Sequence, residues 1–517
     1  MSQEEAARSK RYNLDYVTES DAWLGATNAA GLTTLPVWRV AVADIGYDKS
    51  GGGFINYSDS DDSYKFGVST RSYLRIDPST NIFGSISYES FEGKNMTGSY
   101  FIAPYLYPLD IVEEDITASS NKKRENYNLS GGVGYRFDER WSVGGRIDYA
   151  AASYAKMKDL RHENYMLDMT VTAGASCRLG GSITLGANYI YRRSVEAITC
   201  NLYGNIEKQY YSIIDYGAFY GNREALGDSG YTDQGDSQPM SIQYHGGALQ
   251  AEVRFSPQWS LFNEAQFSIY HGAYGKRGTI SIVFTEFEGT KASYAGTLVF
   301  NGGNSLHKLS IEGTYDNVDN NENIYRRETS SGGVSNIVYY GSNRVLTRSV
   351  VTANVEYKCF LGIATFNPVW TITAGACLWQ RNQDVVPIYP YYRKQDITSI
   401  RAYASAEHNL VKAKNMFTVR LGAGYGTGSG TVCDDGVLAQ PSPSSKQPVS
   451  ADQYLYKEFE YLTAPRVNVS AGVRYTHFFK SLSPYADLGV RYTKALAVEH
   501  LSGDSFAVIG ATIGCNF

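Results

Sequence analysis

The side chains in this sequence best equipped for chemistry are arginines, and they recur at alternate positions of runs that are otherwise apolar and aromatic. Arg71, Arg75, Arg136, Arg146, Arg192, Arg254, Arg348, Arg401, Arg420, Arg466, Arg474 and Arg491 all sit this way, with Glu264 among the acids that accompany them. A guanidinium stays charged at any working pH and donates through a planar fork, so it can cross-link carboxylates or meet an anionic or polyhydroxylated solute. Arrangements that imitate active sites do not hold together. Gly227-Asp228-Ser229-Gly230 copies a protease nucleophile motif, but Tyr231 follows where another glycine is expected, and none of the 7 histidines pairs with it by spacing. Asp59-Ser60-Asp61-Asp62 and residues 316–323 are rich in oxygen ligands without the spacing of a calcium loop. The 6 cysteines include no C-x-x-C pair and no zinc-like spacing. They are expected as free thiols, with a loop bridge between Cys200 and Cys433 left open. No catalytic residue, metal site or cofactor is predicted.

These arginines need elements that hold them on one side of the chain. In residues 64–76, Tyr64, Phe66, Val68, Leu74 and Ile76 share one face, and Lys65, Ser69, Arg71 and Arg75 share the other. The last stretch behaves alike: Ala507, Ile509, Ala511, Ile513, Cys515 and Phe517 alternate with Gly510, Thr512, Gly514 and Asn516. An apolar face toward lipid and a small or polar face toward a lumen is the pattern of a transmembrane β-strand. An arginine on the lipid side would cost about 2–4 kcal/mol at mid-depth, so the arginine-bearing face is assigned inward. The 43 tyrosines, 21 phenylalanines and 51 glycines beside only 14 prolines suit strands with aromatic girdles. Mean hydropathy is −0.32, and no apolar run approaches the roughly 18 residues that a spanning helix needs. A net charge of −5 sets nucleic acid aside as a partner.

Read in order, the chain alternates strands with two kinds of connection. Short turns fall near residues 77–81, 137–141, 178–182, 256–259, 301–305, 360–367, 411–415 and 480–483, and these are expected at the periplasmic end. Long connections at 93–123, 201–242, 317–343, 380–394 and 426–460 are expected outside the cell. Eight short turns separate nine hairpins, which predicts an all-β, antiparallel transmembrane barrel of about 18 strands, with 16 as the second count. Closure then requires residues 502–517 to pair antiparallel with residues 37–47.

Residues 1–36 are set apart from the barrel of residues 37–517. They carry Trp23, Leu24 and Asn28 in a small-residue stretch between Ser20 or Asp21, a candidate helix cap, and Pro36. This predicts a short helix or compact loop, placed as a lumen plug or as a periplasmic extension. The opening residues are polar and acidic, with no signal peptide in view, so a mature form is expected. Asn28-Ala29-Ala30-Gly31 resembles the Asn-Pro-Ala-Gly of the N-terminal hatch in FadL-like transporters, with alanine in place of proline. A terminal aromatic strand ending at Phe517 resembles those of bacterial outer-membrane barrels. That resemblance implies outer-membrane lipid and the barrel-insertion machinery as partners, in a Gram-negative bacterium. The Tyr- and Gly-rich style is similar to uncharacterised barrels of Bacteroidota, a group whose barrels often work with surface lipoproteins.

Two functions fit this reading, neither of them enzymatic. One is a channel or transporter with an arginine-rich lumen for small hydrophilic or anionic solutes. The other is a non-conducting barrel whose aromatic loops or outer wall hold partner proteins.

Overall fold

The computed structural model describes residues 12–204, 207–227, 230–278, 281–329, 333, 335–479 and 482–517. Helices α1 (Leu14–Glu19) and α2 (Ala22–Gly25) and a 3-10 helix (Ala29–Thr34) come first. The strands follow as β1 (Arg39–Gly52), β2 (Asp62–Arg75), β3 (Thr80–Met96), β4 (Asp110–Glu113), β5 (Ser120–Arg136), β6 (Trp141–Lys156) and β7 (Arg161–Leu179). Next are β8 (Ile183–Asn201), β9 (Tyr211–Asp215), β10 (Tyr220–Ala225), β11 (Ser237–Arg254), β12 (Trp259–Gly275) and β13 (Val283–Asn301). The longest pair is β14 (Ser305–Thr329) and β15 (Ser335–Leu361), before β16 (Trp370–Ile388), β17 (Tyr391–Lys412) and β18 (Asn415–Val437). The chain ends with β19 (Val449–Ser450), helix α3 (Asp452–Thr463), β20 (Arg466–His477), β21 (Ser483–Ala495) and β22 (Ser505–Asn516).

Eighteen strands form one antiparallel sheet that closes on itself, so the count of 18 holds and 16 does not. The seam lies where closure demanded it: Val42 faces Asn516, Gly52 faces Phe506, and the Phe517 N–H donates to the Ala41 carbonyl at 2.9 Å. Alternation sends Ile509 and Ile513 outward, 61% and 71% exposed, while Gly510 and Gly514 face in. Tyr135, Phe137, Trp141, Trp259, Trp370, Phe417 and Tyr475 are exposed beside the short turns and form an aromatic girdle. A closed ladder with an apolar outer belt satisfies its backbone without water, and this is an outer-membrane barrel.

All eight short turns join neighbouring strands where expected, with Lys480 and Ser481 of the last one outside the described residues. The long connections differ from expectation in three ways. Residues 317–343 and 380–394 are mostly strand, because β14–β15 and β16–β17 continue past the membrane as ribbons. The Asn- and Asp-rich run at residues 317–323 marks where the first of these leaves lipid, and a ladder in water can carry polar residues on both faces. Residues 426–460 contain most of α3, which buries Tyr454, Leu455 and Glu458. The connections after β3 and β8 fold inward and, with β19, supply the four-stranded sheet β19-β10-β9-β4.

Candidate functional site: the lumen and its two closures

At the periplasmic end the N-terminal segment is folded by three side-chain caps. Asn13 accepts from the Tyr16 N–H at 3.0 Å, Asp21 from the Trp23 N–H at 2.9 Å and Asn28 from the Ala30 N–H at 3.0 Å. The capped pieces present polar atoms to the inner wall of β5–β8 and β11–β15. The Trp23 indole N–H donates to Glu252 at 3.0 Å, and its ring stands edge-on to Phe262. Thr27 donates to Glu264 from both its N–H (3.0 Å) and its hydroxyl (2.9 Å). The Asn28 amide donates to the Ala175 carbonyl (2.9 Å) and Gln250 (3.0 Å). Leu24 joins Leu14, Val17, Leu32, Leu35, Tyr73 and Phe83 in an apolar cluster. Burial raises the Asp21 carboxyl above the usual range, opposed by hydrogen bonds from Thr34 and the Trp23 N–H.

The wall is shaped to receive this segment. A side chain at Gly144 or Gly174 would collide with Ala29 or Asn28, so both positions require glycine for close approach. Arg75 and Arg136 donate to the Leu35 and Thr33 carbonyls. Arg71 pairs with Asp15 at 2.8 Å, and Lys358 pairs with Glu19 at 2.8 Å. Three further arginines on this side are engaged by carboxylates. Arg146 meets Asp148 at 2.7 Å, Arg192 meets Asp168 at 2.6 Å and Arg254 meets Glu252 at 3.0 Å.

The outer end is closed by the four-stranded sheet and α3. Tyr100, Tyr107, Tyr216 and Tyr220, all within the long connections at 93–123 and 201–242, are buried in a cluster that includes Tyr244, Tyr270 and Tyr274 of the barrel. Phe219 packs with Tyr57, Tyr454 and Leu455. Arg381 of β16, buried, forms an ion pair with Glu458 of α3 at 2.5 Å. Arg348 donates to the Tyr107 carbonyl at 2.8 Å. Arg466 donates to the carbonyls of Tyr461, Leu462 and Ala464, where the end of a helix leaves acceptors free. Within the sheet, Asp110 and Asp215 are directly opposed. Burial pushes the Asp110 carboxyl up to about 7 against hydrogen bonds from Ser99 and Tyr57. Burial, and then the Asp110 charge, pushes Asp215 up to about 7 as well.

Between these closures, one part of the wall stays bare. Ser405, Gly422, Ser470, Gly472 and Gly489 are the inward small residues of β17, β18, β20 and β21. There is room beside them: a cavity of about 470 Å³ is lined by Asp48, Lys358, Glu407, Arg420, Asp487 and Arg491 among others. The spanning part of this wall carries inward Arg401, Arg420, Arg466, Arg474 and Arg491 against Glu407 and Asp487. Arg420 and Arg474 share one carboxylate, Asp487, the latter at 2.6 Å. Among the described residues, Arg401, Arg466 and Arg491 have no carboxylate within ion-pair distance. The ladders β17–β18 and β18–β20 run unbroken here, so the cavity opens along the lumen and not through the wall.

The arginines expected inward therefore fall into two groups, engaged and open. Sequence reasoning missed Arg381, Arg393 and α3, all of which lay in stretches read as loops. The signal for α3 was Tyr454, Leu455 and Glu458 at helical spacing. All six cysteines are free, so Cys200 and Cys433 are not bridged. The acidic run at 316–323 lies in β14, with Asp316 taking a hydrogen bond from Tyr270, while Asp62 is held by Lys49 and Lys94. Asp228 and Ser229 lie outside the described residues.

No protein with a curated description matches the sequence. Among solved structures, the chain is similar to BauA, the ferric preacinetobactin receptor from Acinetobacter baumannii, at 9% identity and TM-score 0.39, covering 93% of this chain and 80% of that one. The ferric yersiniabactin uptake receptor FyuA from Yersinia pestis gives 6% identity and TM-score 0.41, over 93% and 80%. The RagAB peptide importer gives 8% and 0.41, over 93% and 86%. At these values the likeness extends no further than a large barrel. With residues 29–517 matching, the whole barrel and the Asn28-capped turn before it, the chain belongs to a family of unknown function, DUF6850.

Proposed function

We propose that the protein is an outer-membrane channel for small hydrophilic solutes, with anions favoured, and that residues 12–36 act as its plug. The observation that carries this reading is the bare wall of β17, β18, β20 and β21: a cavity of about 470 Å³ is lined by Lys358, Arg420 and Arg491 beside Asp48, Glu407 and Asp487, and Arg491 has no carboxylate within ion-pair distance among the described residues. A ring or stripe of fixed cations in a narrow aqueous path selects against cations by electrostatic exclusion. An 18-stranded barrel also encloses more space than its own side chains fill. The plug covers the opposite wall, and the similarity of residues 28–31 to the FadL-like hatch fits that role. On this reading the chain is a conduit and not an enzyme, with Phe517 as the signal read by the insertion machinery.

Single-channel recording in planar bilayers tests the proposal. The full chain is expected to show low conductance and the variant lacking residues 1–36 a several-fold higher one. Absence of conductance in both would sink it. One observation favours a second reading: the outer mouth is filled by the four-stranded sheet and α3. A non-conducting barrel holding partners such as surface lipoproteins would then be left, and stoichiometric co-purification of a lipoprotein would support it.

A further inference from the structure

The open cavity is floored by one rung of the ladder. Glu407, Arg420, Gly472, Gly489, Gly510 and Asp48 stand opposite one another in turn, across the six strands from β17 to β1. Its three glycines leave a strip of bare backbone roughly 10 Å wide. The polar side chains beside them fold across the ends of that strip. A side chain at Gly472 would meet the Arg420 guanidinium at 3.0 Å and one at Gly510 would collide with the Asp48 carboxylate, whereas one at Gly489 would meet nothing closer than 3.9 Å. Arg420 and Asp48 therefore border an open space over Gly489. Along β21 the inward positions read Asp487, Gly489 and Arg491, roughly 13 Å from first to last. Asp487 stands on the periplasmic side of the space and Arg491 on the outer side.

The charges that line this space are compensated with one exception. Asp487 accepts from both Arg420 and Arg474, Asp48 lies 3.4 Å from Lys65, and Lys358 pairs with Glu19. Glu407 faces Arg420 across the ladder. Arg491 alone of the six charged residues lining the cavity has no opposite charge beside it among the described residues. The carboxylates still have room to accept. An ionised carboxylate offers about four lone-pair sites, and Asp487 uses two of them on its arginines. Spare acceptors without spare negative charge suit hydroxyl donors, while an added ammonium would meet the cations already in place. The uncompensated guanidinium suits one carboxylate, which it can hold through two parallel hydrogen bonds.

We propose that the space over Gly489 binds a sugar acid, with its carboxylate on Arg491 and its hydroxyls donating to Asp48 and Asp487. The assignment rests on reading this wall as the open side of the channel and names the solute held there. Neither a neutral sugar nor a simple organic anion uses both halves of the site.

The test uses the full chain in a detergent without a sugar headgroup, with equilibrium dialysis of radiolabelled glucuronate, glucose, acetate and free glycine. Glucuronate is expected to bind at least about tenfold more tightly than the other three. Arg491→Gln is expected to bring glucuronate down to the level of glucose. Asp48→Ala, which leaves Lys65 beside Glu89 at 3.4 Å, is expected to bring it toward the level of acetate. Heat-modifiable gel mobility checks that both variants keep the barrel. Equal binding of acetate, equal binding of glycine, unchanged binding in either variant, or no binding to the full chain would each overturn the proposal. Dialysis carries no current, so the two readings fail separately. Binding without conductance keeps the site and sinks the channel, and conductance without binding does the reverse.

Discussion

The two sides of the lumen are made from the same alternating strands, yet they differ in what meets their inward charges. On the side of β5–β8 and β11–β15, four of the inward charges end in a partner: Arg192 in Asp168, Arg254 in Glu252, Glu264 in Thr27, Arg136 in the Thr33 carbonyl. On the side of β17, β18, β20 and β21, small residues leave space, and Arg401 and Arg491 have neither a carboxylate nor a carbonyl partner among the described residues. The difference teaches that an inward arginine is not by itself a feature of the path. Those that hold the N-terminal segment are structural, and only those left without such a partner are candidates to meet a solute in the proposed channel.

The contrast extends in depth, since the N-terminal segment packs against one side and α3 lies against β17 and β18 on the other. The largest effect should come from breaking the contact of α3. Glu458→Ala leaves Arg381 buried without its carboxylate, a loss of about 3–5 kcal/mol. Amide exchange over residues 452–463 is expected to rise to that of an exposed segment, and conductance to rise with it. An unchanged exchange rate would mean that α3 is held by its apolar contacts alone.

Next in size is the charge difference between the walls. In the variant lacking residues 1–36, Arg491→Ser is expected to lower the anion-to-cation permeability ratio about threefold, read from the reversal potential across a salt gradient. Arg192→Ser, on the engaged wall, is expected to lower thermal stability and leave that ratio unchanged. If the two variants shift selectivity alike, the division into an engaged wall and an open wall fails.

A third effect concerns the sheet over the mouth. Asp110 and Asp215 lie near 7 in the folded chain, above the ordinary 3.8. Between these values the folded sheet retains protons that an unfolded segment has released. Its stability is therefore full below about pH 4, declines as pH rises toward 7, and levels off above. Protease sensitivity of residues 97–119 and 202–236 is expected to increase across that window. Asp215→Asn should flatten the profile, because it removes one titration and the repulsion felt by Asp110. A profile that steepens instead would contradict the assignment.

Much of the wall was legible in the sequence because its rule is local. Alternation names the inward face, short turns name the hairpins, and closure names the seam between β1 and β22. Asp21 was also legible as a cap, since its acceptor sits two residues from the N–H it binds. The closures were not legible. The Tyr454 hydroxyl meets the Glu113 carbonyl 341 positions away. Arg381 and Glu458 each lay in a stretch whose polarity resembled a loop. Nor could spacing separate Arg192 from Arg491, because the distinction rests on which carboxylate a neighbouring strand brings to the same height.

The smallest effect probes how the engaged wall holds its segment. Trp23→Phe keeps a ring near Phe262 and removes the indole N–H that donates to Glu252. Glu252 retains Arg254 at 3.0 Å, so its carboxylate is not stranded, and the loss should be about 1 kcal/mol, at the low end for a buried hydrogen bond. Exchange of the amides in residues 23–34 is expected to quicken by about fivefold, with no change in the exchange of α3. Acceleration of α3 by the same substitution would show that the two closures communicate through the lumen. In that case the engaged and open walls would be two states of one device and not two fixed surfaces.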